Sequence, residues 1–226
     1  MNTVALREHI DSTLRQIAEQ HGVASLLATR LDDLHHSLHL PGTDAATALQ
    51  RFVPAYVRQV PQLLEATTEA AAGRDEDRRI ERALGVAEQF LLGPAAGEDA
   101  LAGLENLLAG AYLAHRLVEE INDRHRVRCA RPLLALDATL ANLVMHQLLG
   151  EDFANQLDAV VERVGDGLLR HDLFAAPADR QDAGQAGLAS GQCSWPDPAV
   201  QAGIALRRPD GQPQRSAGLV ARRSAS

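Results

Sequence analysis

The polar groups best placed for chemistry sit on two apolar segments: His115 and Glu119 within residues 101–123, and Asn142 and His146 within 138–149. At about 100° per residue, side chains four apart stand one above the other on a helix. His115 can therefore meet Glu119, and Asn142 shares a face with His146. An imidazole beside a carboxylate suits general acid–base work or the binding of a polar ligand. Glu120, Asp123 and His125 stand at the rim of the same face. The competing reading takes His115 and His146 as core histidines satisfied by their neighbours, and Glu119, Glu120 and Asp123 as the charged edge of an amphipathic helix. It is the stronger of the two, because no activated nucleophile accompanies the pair.

A second candidate lies in the stretch LDDLHHSLH, where Asp32, His35 and His39 follow helical spacing. Two histidines at i,i+4 can clamp a divalent ion such as zinc. No fourth ligand is evident, so a solvated helix face is the expected outcome.

Both candidates depend on helices, and the sequence is rich in helical signals. Ile10, Leu14 and Ile17 recur at helical spacing within Val4 to Gln20; Val23, Leu27, Leu31, Leu34 and Leu38 form a second stripe that ends before Pro41 and Gly42. Thr43 or Asp44 can cap the next helix, in which Pro54 and Pro61 predict two short pieces or one bent one. Tyr56, between them, is expected to give its hydroxyl to a structural partner. The segment from Asp75 to the Gly93–Pro94 stop has Ile80, Leu84, Ala87, Phe90 and Leu91 on one face. In 101–123 the face made by Leu104, Leu107, Ala111, Ala114, Val118 and Ile121 should pack inward. Asp137 as N-cap and Gly150 at the C-terminus frame the following helix. The intervening connection, with Pro132, is short and favours antiparallel packing, which would bring His115, Glu119, Asn142 and His146 together. Phe153, Leu157, Val160, Val161, Val164 and Leu168 define a last helix.

The expected fold is therefore an all-α, irregular multi-helix bundle of about six to eight helices, formed by residues 1–173 as one domain. Residues 174–226, rich in Gly, Ala, Pro, Gln and Ser without sustained period, read as a disordered tail. Trp195, the sole tryptophan, falls in it and is either a partner anchor or part of an extension without selected function.

Composition removes several function classes. All 22 basic residues are arginine, so the chain lacks the lysine that a Walker A loop, a Schiff base or pyridoxal phosphate attachment requires. No Glu is followed three residues later by His, against a ferritin-like di-iron site, and no HExxH or GxSxG occurs. A net charge of −8 opposes nucleic-acid binding. Only Cys129 and Cys193 are present, outside any CxxC spacing. With no apolar span and no leader pattern, a cytoplasmic protein without membrane contact is expected. The reading is a non-enzymatic helical protein that binds another protein or itself, with no cofactor. The alternative is a helical-bundle enzyme or a metal- or ligand-binding protein using the His/Glu/Asn pocket.

Overall fold

The computed structural model describes residues 2–19, 22–31, 34, 37–41, 45–73, 77–93, 100–169 and 195–207. In chain order they form α1 (Thr3–Glu19), α2 (Gly22–Arg30), β1 (Leu38–His39), α3 (Ala45–Ala71), α4 (Asp77–Leu92), α5 (Ala100–Cys129), α6 (Thr139–Leu149), α7 (Glu151–Leu169), α8 (Pro198–Gln201) and β2 (Ala205–Leu206). The architecture is the all-α multi-helix bundle that the hydrophobic periodicity predicts. Among the described residues no helix is long and apolar enough to cross a membrane.

Helix α5 is the axis, touching α1, α2, α3, α4, α6 and α7. The sequence predicts one buried face, but Leu107, Leu108, Ala109, Tyr112, Leu113, Leu117 and Val118 are all buried, so neighbours cover every side over these turns. A helix that is apolar all round belongs inside a bundle, and the charged residues of α5 cluster toward its C-terminal end.

Helix α3 runs unbroken through Pro54 and Pro61, where the sequence suggests an interruption. Each proline leaves one helical carbonyl without its N–H donor. The burial of Phe52, Val53, Tyr56, Val57, Val60, Leu63 and Leu64 against the bundle offsets that loss.

Between α5 and α6 the chain turns at Ala130, which takes a left-handed φ of 58° just past the helix end. Asn122 fixes the turn: its Oδ1 accepts the N–H groups of Leu133 and Leu134 at 2.7 and 2.9 Å, and its Nδ2 donates to the Leu134 carbonyl at 3.1 Å. Because Asn122 is buried, Asn122→Ala leaves these amides without an acceptor. The expected loss is about 1–3 kcal/mol, read from the denaturant midpoint.

The start of α6 differs by one residue from expectation. Ala138, not Asp137, is the N-cap and offers no side-chain bond, yet Asp137 Oδ1 accepts the Thr139 N–H at 3.1 Å from one position further out. Asp137→Ala should therefore still cost about 1 kcal/mol, because a first-turn amide loses its partner. At the other end Gly150 has φ 89° and ψ 142°, a region essentially reserved for glycine, and α7 begins at once.

Two sequence expectations need correction here. The second stripe is not one helix to Leu38: α2 ends at Arg30, and Leu38–His39 pair antiparallel with Ala205–Leu206. Nor is the whole of 174–226 an unpacked tail. Residues 195–207 close over α3 and α6, bury Pro198, Ala199, Ala202 and Ile204, and bond Arg207 N–H to the Ser37 carbonyl at 2.7 Å. Asp197 caps α8 through Ala199 N–H at 2.7 Å and Val200 N–H at 3.3 Å. A short capped turn followed by two strand residues has too little period to register in the sequence. Residues 174–194 and 208–226 lie outside the described part.

Candidate functional site

The four candidate residues occupy one polar layer within the bundle. Neighbouring elements link them more than direct contact does. Asn142, on α6, donates from Nδ2 to Glu119 Oε2 on α5 at 2.8 Å and accepts the Tyr56 hydroxyl of α3 on Oδ1 at 2.7 Å. The antiparallel return of α6 along α5 makes this contact possible, as the short connection predicts. Glu119 also receives the Arg116 guanidinium, which donates from Nε to Asp158 Oδ1 on α7 at 2.9 Å. Asp158 in turn accepts the Tyr112 hydroxyl at 3.1 Å. One hydrogen-bonded line thus runs from α3 through α6 and α5 to α7.

His115 and His146 sit at its two ends. His115 is fully buried, stacks on Tyr56 at 3.9 Å between ring centroids, and places Nε2 3.1 Å from the Tyr56 carbonyl. A carbonyl only accepts, so Nε2 carries the proton and Nδ1 is the bare lone pair. Nδ1 has no hydrogen-bond partner among the described residues. Burial pushes the His115 pKa down to about 4, although the bond to the Tyr56 carbonyl opposes this. His146 is half-buried, with Nε2 3.3 Å from Asn155 Oδ1 and 3.9 Å from Asp158 Oδ2. It does not touch His115 directly.

The same burial raises the Tyr56 pKa well above that of an ordinary phenol, with Tyr112 and Glu119 adding to the effect. Tyr112 is raised by burial and by the Asp158 charge. For Arg116 burial acts to lower the pKa, but the hydrogen bond to Asp158 and the charges of Glu119 and Asp158 outweigh it and hold the guanidinium firmly protonated. The tyrosines are thus neutral donors, and Arg116 is the fixed positive charge between two carboxylates.

The rim residues belong elsewhere. Glu120 binds Arg124 at 2.5 Å, and Arg124 reaches Asp166 of α7 at 3.2 Å. Asp123 faces Arg126 at 4.0 Å, and His125 is buried. Sequence reasoning missed Arg116, Asp158 and Tyr112. The i,i+3 spacing of Arg116 to Glu119 is legible, but no sequence signal pairs Asp158 with α5.

Of the metal candidate, Asp32 and His35 lie outside the described residues. His39 stands in β1 and not on a helix, so helical spacing does not set its distance from His35. No group of three or more metal-binding side chains occurs among the described residues.

A separate cleft opens on the outer side of α3. It encloses about 510 Å³ between Ala55, Arg58, Gln59 and Gln62 on α3 and Trp195, Pro196, Pro198 and Gln201 from the C-terminal segment. Gln59 Nε2 donates to the Pro196 carbonyl at 3.0 Å and closes one end.

Fold and site together define an all-α bundle with a buried polar layer and an open surface cleft. Comparison with protein-family models, curated proteins and solved structures gave no match.

Proposed function

We propose that this protein is a non-catalytic helical module of the cytoplasm that binds another protein, and that the cleft along α3 is its contact surface. The observation that carries the proposal is the composition of the cleft: the half-buried indole of Trp195, the exposed Pro196, and the exposed side chains of Gln62, Gln201 and Arg58. Tryptophan and arginine are the side chains that dominate binding energy at protein interfaces. The polar layer, by contrast, spends its donors and acceptors on its own members, in keeping with a structural role. The alternative of a ligand site at His115 rests on its bare Nδ1. That atom is sealed, and a ligand would reach it only if α3 and α5 parted.

Photo-crosslinking in cells tests the proposal. A crosslinking amino acid at Gln62, in the cleft, should give a discrete protein adduct, while the same group at Glu162, on the exposed side of α7, should not. Equal adducts at both positions, or none at Gln62, would overturn it.

A further inference from the structure

The cleft is a composite surface, and its two walls are not equally secure. One wall is α3, whose inner face carries Phe52 and Tyr56, among the largest fully buried side chains of the protein. That helix cannot leave without unfolding the core. The other wall is Trp195, Pro196, Pro198 and Gln201, all from the C-terminal segment 195–207, which lies across α3 and α6. Without this segment there is no cleft.

The segment is lightly held. Its helix α8 has four residues, and β2 and its partner β1 have two each. Of the apolar side chains that it buries, Ala199 and Ala202 contribute a single methyl each, which leaves Pro198 and Ile204 as the main anchors, with the half-buried Trp195 beside them. Gln59 takes the Pro196 carbonyl near one end, at an exposed position, and the Ser37 carbonyl takes the Arg207 N–H at the other. Asp197 caps the turn from inside the segment, through Ala199 and Val200. Ordering each residue of such a segment costs conformational entropy. With so little apolar burial to set against that cost, the segment opens at a lower free energy than the core helices.

From this asymmetry we infer that residues 195–207 are a strap that switches the contact surface on and off. Docked on α3 and α6, the strap completes the cleft and sets Trp195 and Gln201 beside the side chains of α3. Lifted, it leaves the helices folded and the cleft without its second wall. A partner that binds only the assembled cleft holds the strap down, and whatever frees the strap releases the partner, because coupling between two equilibria is reciprocal. This inference rests on the protein-binding reading above and adds the regulation of that site.

Trp195 is the only tryptophan, so its fluorescence follows the strap, while far-UV circular dichroism follows the helices. In a denaturant titration of the full chain the fluorescence midpoint is expected at lower denaturant than the helical one. Ile204→Asp puts a charge where the side chain is buried and should raise acrylamide quenching of Trp195 several-fold with the helical signal kept. Asp197→Ala, which removes the cap of α8, should act in the same direction and more weakly. With the crosslinking amino acid at Gln62, the adduct should fall several-fold in the Ile204→Asp chain. Coincident midpoints, unchanged quenching in both variants, or loss of the helical signal in either overturns the inference. An undiminished adduct in an Ile204→Asp chain whose Trp195 is freely quenched overturns it too, and leaves the protein-binding reading standing. Absence of the Gln62 adduct in the wild type instead overturns that reading, and the switch falls with it even where the two midpoints separate.

Discussion

Acidification from pH 6.5 to pH 4 should remove about 3 kcal/mol of stability through His115 alone. The sign follows from the direction of the shift. The folded protein holds the ring neutral down to about pH 4, whereas the unfolded chain protonates it near 6.5. The unfolded state therefore binds the extra proton first. The stabilising contribution is complete above 6.5 and drains away as the pH falls toward 4. Protonation would place a second N–H on Nδ1, which has no acceptor nearby, and a charge in a fully buried site. The charged and titratable groups of the surrounding layer do not compensate. Glu119 is engaged by Arg116 and Asn142, and Tyr56 is a neutral phenol whose hydroxyl points to Asn142.

Asp197 acts with the opposite sign. Burial raises its pKa, against the pull of the Ala199 and Val200 amides, so the folded state prefers its protonated form and gains stability as the pH falls through that range. Denaturant melts of wild type and His115→Gln at a series of pH values separate the two. The variant should lose the fall in stability between 6.5 and 4 that His115 contributes and keep the opposite-signed contribution of Asp197. A wild-type curve with no extra slope in that interval would show that His115 protonates without cost.

Gly110→Val should destabilise the protein by about 2–3 kcal/mol, the upper part of the usual range for overpacking a filled core. A Cβ at Gly110 would lie 2.6 Å from Leu91 Cδ2, 2.7 Å from Leu91 Cγ and 3.2 Å from the Phe90 ring. Leu91 is itself buried, so its branch carbon can shift only by disturbing packed neighbours. Glycine here lets α4 and α5 approach more closely than any side chain permits. Gly103, two turns earlier on the same helix, has nothing within 4 Å of the added atom. There Gly→Ala should stabilise by about 0.5–1 kcal/mol through backbone entropy. Opposite signs at two glycines of one helix are the signature of packing, since helix propensity alone gives both substitutions the same sign. Thermal melts of the two variants measure it directly.

The contrast between these glycines marks the boundary of what the chain states locally. Hydrophobic period reveals α1, α4, α6 and α7 because each presents one apolar stripe to the bundle, and a stripe is a property of a single segment. Composition excludes the lysine-dependent chemistries, since a missing side chain is missing in any fold. The approach of Asn142 to Glu119 also follows from the sequence, because a short connection leaves α6 little choice but to run back along α5.

Other features have no local signature. That α5 is buried on all sides depends on how many helices surround it, and its leucines and alanines read the same with one neighbour or six. Pro54 and Pro61 break a helix in isolation; in α3, burial outweighs the lost backbone bonds, and only the assembled core supplies that burial. The residues that complete the polar layer come from partners 42 and 86 positions apart, Arg116 with Asp158 and Tyr56 with Asn142. The turn and strand at 198–206 are too short to announce themselves, yet their apolar side chains fill ground left open by α3, α6 and β1. Helix identity is written in the order of side chains along the chain, because hydrogen bonds within a helix are local. Partnership between helices is a matter of which surfaces meet, and that is settled only when the whole chain has folded.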